Sequence, residues 1–219
     1  MDKAILLKSK KNLIIIGGKA GADIAHNLAK DSYYKIYFYE CFSNKVSRSL
    51  VINLYDFEKL IKLDNYEYFI ATGDNYLRHE NFLKIQKITN KKPVNLIHSR
   101  ALIEYSVRDK LGFGNLILAN AYININSSIG NLNIINTGAI VEHDCQIFDF
   151  VQLSPNVTLG GNVSILDFSF IGIGATVLPN IKITKDVLVG AHSVVLKDID
   201  QSGKYVGVPL RKINENKQI

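Results

Sequence analysis

Glu142, His143 and Asp144 stand side by side in AIVEHDCQIF, a stretch otherwise dominated by aliphatic residues. A histidine beside a carboxylate is a pair that can accept and hold a proton. Neutral imidazole, with an ordinary pKa of about 6.5, takes a proton near pH 7, and a carboxylate on its other ring nitrogen fixes the tautomer and stabilises the imidazolium. Successive side chains of a regular strand point to opposite sides, so His143 and Asp144 meet only if the chain turns there. Cys145 in the same stretch is read as a packed thiol and Glu142 as a solvated residue. A second set lies near the other end, where IIIGGKAGADIA places Gly17, Gly18 and Gly21 between an apolar run and a helical pattern. Backbone amides and a helix N-terminus can receive phosphate at such a turn, although the spacing falls short of the full dinucleotide fingerprint.

The elements that carry these two sets follow different periods. From 12 to 100, the runs NLIIIG, KIYFYE, YEYFIAT and VNLIH alternate with GADIAHNLAK, DFEKLIKL and NYLRHENFLKIQKIT, whose apolar residues recur at three and four. Alternating strands and helices predict βαβ units and a parallel sheet. From Leu111 to Val195 an aliphatic residue returns at every sixth position without an insertion, and four residues after each the side chain is usually small or aliphatic. A six-residue strand-plus-corner unit repeated three times makes a triangular turn of 18 residues. The fifteen units predict five stacked turns of a left-handed parallel β-helix, stabilised by neighbouring turns. Both polar residues of the pair then face outward while Val141 and Cys145 point in. The asparagines Asn120, Asn124, Asn126, Asn131, Asn133 and Asn136 are assigned to corners, where Asn tolerates left-handed backbone.

Composition narrows the function classes. Of 219 residues 47% are hydrophobic, ample for a core, and the formal charge of +6 is spread along the chain rather than gathered in a stripe. That argues against nucleic acid as the partner. Two cysteines, Cys41 and Cys145, lie far apart, so neither a disulfide framework nor a metal site is expected. The apolar runs before Gly17 are too short for a membrane span or a signal-peptide core, so a cytoplasmic protein without membrane contact is expected.

NTGAIVEHDCQI, FIGIGATVLPN and VGVPLRKI, together with the glycine turn, resemble the bacterial nucleotide-sugar acetyltransferases with hexapeptide repeats. This group includes UDP-4-amino-sugar N-acetyltransferases and sialic acid O-acetyltransferases. The resemblance spans almost the whole chain. It implies a Rossmann-like nucleotide-sugar-binding domain over 1–100 and a left-handed β-helix acetyltransferase domain over 101–219 that ends in a short tail. It further implies acetyl-CoA as donor, no metal, a homotrimer with active sites between subunits, and direct transfer without an acyl-enzyme. His143 falls at the family's general base and Asp144 at its orienting partner. Gln152, Ile173 and Ala191 fall at donor-binding positions; Lys19, Ala20, Gly21, Glu40, Cys41 and Gly73 fall at nucleotide-binding positions. Family members often carry His where this chain has Gln152 and Gly21, and Gly where it has Ala191. N-acetylation of the 4-amino group of a UDP-linked amino-dideoxy-sugar is the leading expectation. O-acetylation of a sialic acid or another activated sugar is the first alternative, and a noncatalytic β-helix scaffold the second.

Overall fold

The structure, a computed structural model, describes residues 10–39 and 50–213, with Lys19 as backbone only. The chain divides into two compact units, Met1–Leu96 and Ile97–Ile219.

In the first unit β1 (Asn12–Ile16) is buried at every residue, as the apolar run LIII after Asn12 requires of a central parallel strand. It is followed by α1 (Lys19–Ala29), β2 (Ile36–Tyr39), α2 (Leu54–Leu60), β3 (Tyr66–Ile70) and α3 (Asn75–Gln86). The sheet has three parallel strands in the order β2-β1-β3, with Ile14 opposite Tyr37 on one side and Tyr68 on the other. Ala22, Ala25 and Ala29 form the buried stripe of α1. Side chains start the later helices: Asn53 accepts from Asp56 N at 2.9 Å and Asp74 from Leu77 N at 2.8 Å.

The run VNLIH, expected as a fourth strand of this sheet, touches it at Val94, whose N donates to Tyr68 O at 2.9 Å, and then leaves it. Leu96–Ile97 is the neighbour of Leu116–Ile117 in a sheet of the coil, and His98 N donates to Ile117 O at 2.8 Å. A short apolar run states that it is a strand but not which sheet takes it.

The second unit is a parallel β-solenoid of about six turns with three faces. One face contains the strands at 116–117, 134–135, 152–153 and 170–171; the second those at 122–123, 140–141, 158–159 and 176–177; the third those at 128–129, 146–147, 164–165 and 182–183. Partners stand 18 residues apart, as in Ile123 opposite Val141 and Ile147 opposite Ile165. Every sixth residue from Ile117 to Val195 is at most 2% exposed, so the repeat read from sequence is the inner wall. One turn more is present than the expected five. Its pairing of Leu102 with Tyr122 is offset by 20, and the 3-10 helix Tyr105–Lys110 accommodates the two extra residues, which breaks the six-residue period upstream of Leu111.

A second six-residue rule governs the corners. From Gly114 to His192 fourteen successive positions, each six apart, have φ between 53° and 71°. Ten of them are Gly, Asn or Asp, the residues that enter this region most readily, and Leu132, Phe150, Phe168 and His192 are the exceptions. The rings of Phe150 and Phe168 stack at 5.1 Å. Asn120 and Asn126 sit at these corners, but Asn124, Asn131, Asn133 and Asn136 do not. Asn115 and Asn133 point inward instead: Asn115 Oδ1 accepts from Asn133 N at 2.8 Å and Asn133 Oδ1 from Val151 N at 2.7 Å. Each side chain thus satisfies a backbone donor one turn along the coil.

Candidate active site

His143 and Asp144 lie where the second face turns into the third, between Ile140–Val141 and Gln146–Ile147. Asp144 is a corner residue with φ 60°. Its amide donates to Ile125 O at 3.0 Å, and His143 O accepts from Asn162 N at 2.8 Å, so the turns on either side pin the backbone. The left-handed step suspends strand alternation and brings two consecutive side chains together: His143 Nδ1 lies 2.8 Å from Asp144 Oδ2. An ionised carboxylate only accepts, so Nδ1 carries the hydrogen, and in the neutral ring Nε2 is the nitrogen with the lone pair. The side chains are 54% and 51% exposed, open enough for a substrate to reach. Hydrogen bonds from His143 first and Asn126 second hold the Asp144 carboxyl below the usual carboxylate range, and Lys110 adds a smaller favourable field.

Around the pair, one turn further along the coil, Gly161 leaves the space that the imidazole fills: a Cβ there would stand 2.5 Å from Cε1 and 2.6 Å from Nε2. Sequence reading missed this residue, although its place 18 after His143 was available from the period. Glu142 is half-buried rather than free in solvent, and Asn124 Nδ2 donates to its Oε2 at 2.7 Å. Cys145 is fully buried, its Sγ donates to Gly160 O at 3.2 Å, and burial pushes the thiol up to about 11. A buried, protonated thiol is no nucleophile.

The expected donor residues lie elsewhere on the coil. Ile173 and Ala191 are exposed neighbours one turn apart at the corner between the first and second faces, and Gln152 is half-buried on the first face. The whole second face separates that corner from His143. Within one chain the structure does not bring these residues to the His143–Asp144 pair.

In the first unit α1 begins at Lys19 after Gly18, with no side-chain cap and no acidic residue in its first turn. Its first amides are therefore left to a ligand or water. Gly21 stands in that first turn, where a Cβ would come within 2.6 Å of Ala71 O; one on Gly17, whose φ is 118°, would come within 2.9 Å of the same atom. The departure at position 21 thus coincides with a close approach between α1 and the end of β3. Ala20 and Gly73 are exposed, and a Cβ on Gly73 would meet nothing within 4 Å. Glu40 and Cys41 lie outside the described residues.

Arg78, which sequence reading also missed, is 1% exposed. Its guanidinium donates to Thr72 O and Gly73 O, both at 2.9 Å, and to Asn75 Oδ1 at 2.6 Å. Burial pulls its pKa down to about 10, against the smaller opposing effect of Asp74, so it remains charged at neutral pH. The inward face of α3 is Asn75, Arg78, Asn81 and Ile85, mostly polar. A search for apolar periodicity passes over such a face.

Among the described residues no three His, Cys, Asp or Glu side chains gather to hold a metal, and no helix is long and apolar enough to cross a membrane.

A hexapeptide solenoid that presents an outward imidazole–carboxylate pair offers the kind of base that acyl transfer uses. No protein-family model matches the chain. The structure is similar to a histidine-to-alanine variant of GDP-perosamine N-acetyltransferase from Caulobacter crescentus in complex with CoA and GDP-perosamine: 31% identity, TM-score 0.85, covering 93% of this chain and 97% of that one. The acetyltransferase domain of PglB from Neisseria gonorrhoeae, in complex with acetyl coenzyme A, is similar at 26% identity and TM-score 0.85, covering 93% of this chain and 100% of that one. Among curated sequences, GDP-perosamine N-acetyltransferase of Escherichia coli O157:H7 is 30% identical over 107 residues, 49% of this chain and 44% of that protein. Serine acetyltransferase of Bacillus pumilus is 38% identical over 87 residues, 36% of this chain and 40% of that protein. The chain thus spans less than half the length of these curated relatives. It belongs to the bacterial nucleotide-sugar acetyltransferases, a family of acetyl-CoA-dependent acyltransferases.

Proposed function

We propose that the protein transfers an acetyl group from acetyl-CoA to the 4-amino group of a nucleotide-linked amino-dideoxy-sugar. The 2.8 Å contact between His143 Nδ1 and Asp144 Oδ2 carries this reading, because it leaves Nε2 as a base on an accessible corner. The amine nitrogen attacks the thioester carbonyl as its proton passes to Nε2. Asp144 stabilises the imidazolium, which returns the proton to the departing coenzyme A sulfur when the carbon–sulfur bond breaks. Transfer is direct, in keeping with the buried Cys145.

Gln152, Ile173 and Ala191 hold the donor, and the coil presents them away from His143. A site using both sets needs two copies of the coil, which supports a homotrimer with its active sites between subunits. The first unit acts as a Rossmann-like nucleotide-sugar domain: Lys19, Ala20 and Gly21 offer helix amides to phosphate, and Gly73, Glu40 and Cys41 contact the rest of the nucleotide. UDP is the nucleotide expected from sequence, and the GDP-perosamine enzymes make GDP the one to compare. Both substrates place the reaction in the cytoplasm.

Thiol release from acetyl-CoA is measured with UDP- and GDP-linked 4-amino-sugars. Turnover with one of them, lost in His143→Ala, is the expected result. Unchanged turnover in that variant removes His143 as the base, and sedimentation as a monomer removes the shared site.

A further inference from the structure

We propose that Arg78 is the positioning residue of the nucleotide site, fixing the loop after β3 so that the Gly73 and Asp74 amides face the ligand; this rests on the reading that this loop contacts the acceptor. The peptide bonds of the loop are trans, since the single cis bond among the described residues is Val208–Pro209. In a planar trans peptide the C=O and N–H point in opposite directions. Arg78 draws in the carbonyls of Thr72 and Gly73, which belong to the peptides whose nitrogens are Gly73 and Asp74. Those two N–H groups therefore point away from the buried guanidinium. Gly73 and Asp74 are exposed, and neither N–H has a hydrogen-bond partner among the described residues. The loop thus offers two consecutive donors to acceptor oxygens of a nucleotide.

A purely structural role accounts poorly for this choice of residue. Burying a guanidinium carries a desolvation penalty, and apolar residues of similar volume often serve stability as well or better. What the guanidinium supplies is a planar fork that reaches two successive carbonyls and the Asn75 amide oxygen at once, which a lysine ammonium cannot reproduce. Asn81, 1% exposed, extends the arrangement by donating to Thr72 Oγ1 at 3.1 Å. On the other side of the same segment Gly17 and Gly21 admit Ala71 O at close range, so the chain entering the loop is held from two directions.

The test uses the full chain with UDP and GDP as probes in calorimetry, and acetyl-CoA with the acceptor sugar in steady-state kinetics. Arg78→Lys is expected to weaken nucleotide binding and raise the acceptor KM by about tenfold or more, while kcat and the acetyl-CoA KM stay within about twofold. A folded Arg78→Lys protein with wild-type nucleotide affinity, or with reduced kcat at unchanged acceptor KM, overturns the proposal. A second pair of variants leaves Arg78 in place. Asp74 has φ −66°, so Asp74→Pro removes one outward N–H without straining φ, and Asp74→Ala controls for the lost helix cap. The proline variant should bind nucleotide about tenfold more weakly than the alanine variant; equal affinity overturns the proposal. Wild-type protein that binds neither nucleotide and releases no thiol fails at the earlier step, the acceptor-site reading itself.

Discussion

The two units position their chemistry by opposite means. In the coil every sixth residue has the same task, so a functional side chain must occupy a place the repeat leaves open, or share one with it. Asp144 shares: its left-handed backbone makes the corner, and the same backbone turns its carboxylate onto His143. The first unit has no repeat, and its candidate site is shaped by individual close approaches, those of Gly17 and Gly21 to Ala71 O and the buried fork of Arg78 under Thr72 and Gly73. Repetition makes an exception visible in sequence. Single-copy packing does not.

This contrast can be broken experimentally. If the coil is an inert rack for one exposed pair, His143→Ala should lower kcat/KM by about 10²–10⁴-fold with no change in melting temperature. A large loss of stability would instead make His143 part of the wall. Leu153→Ala, at a fully buried wall position, should do the reverse and cost about 2–5 kcal/mol in denaturant unfolding. Gly161→Ala tests whether one turn disciplines the next, since the new methyl must push the imidazole aside. Displacement on the order of 1 Å should lower kcat by about 10²-fold while the coil melts as before. The corner rule predicts a smaller effect at Asn156, which has φ 58° and lies away from the pair. Asn156→Ala should destabilise by about 1 kcal/mol, and Asn156→Gly by only a few tenths.

The smallest expected effect concerns pH. A carboxyl held below its ordinary pKa stays ionised above about pH 4 and takes up a proton only as pH falls through the lower folded value. An acid limb of activity between pH 5 and 8 is therefore not the titration of Asp144, and Asp144→Asn should still show one on a reduced plateau. Disappearance of the limb in that variant would assign it to the carboxylate.

The sequence alone determined the solenoid, because a six-residue register shows which side chains must be buried and leaves His143 and Asp144 outside. It also located β1, α1, β2, α2, β3 and α3 to within a few residues, since their apolar periods are local. Only the tertiary structure decided the rest, because these features depend on contacts across distant positions. The 20-residue first turn has no period to announce it, and Leu96–Ile97 joins the coil rather than the neighbouring sheet. The corner φ of Asp144 was needed to bring it to His143, and Gly161 matters only because of what lies one turn away. Arg78 was hidden for the same reason: a charge on a helix reads as surface until folding places two carbonyls and an amide oxygen around it.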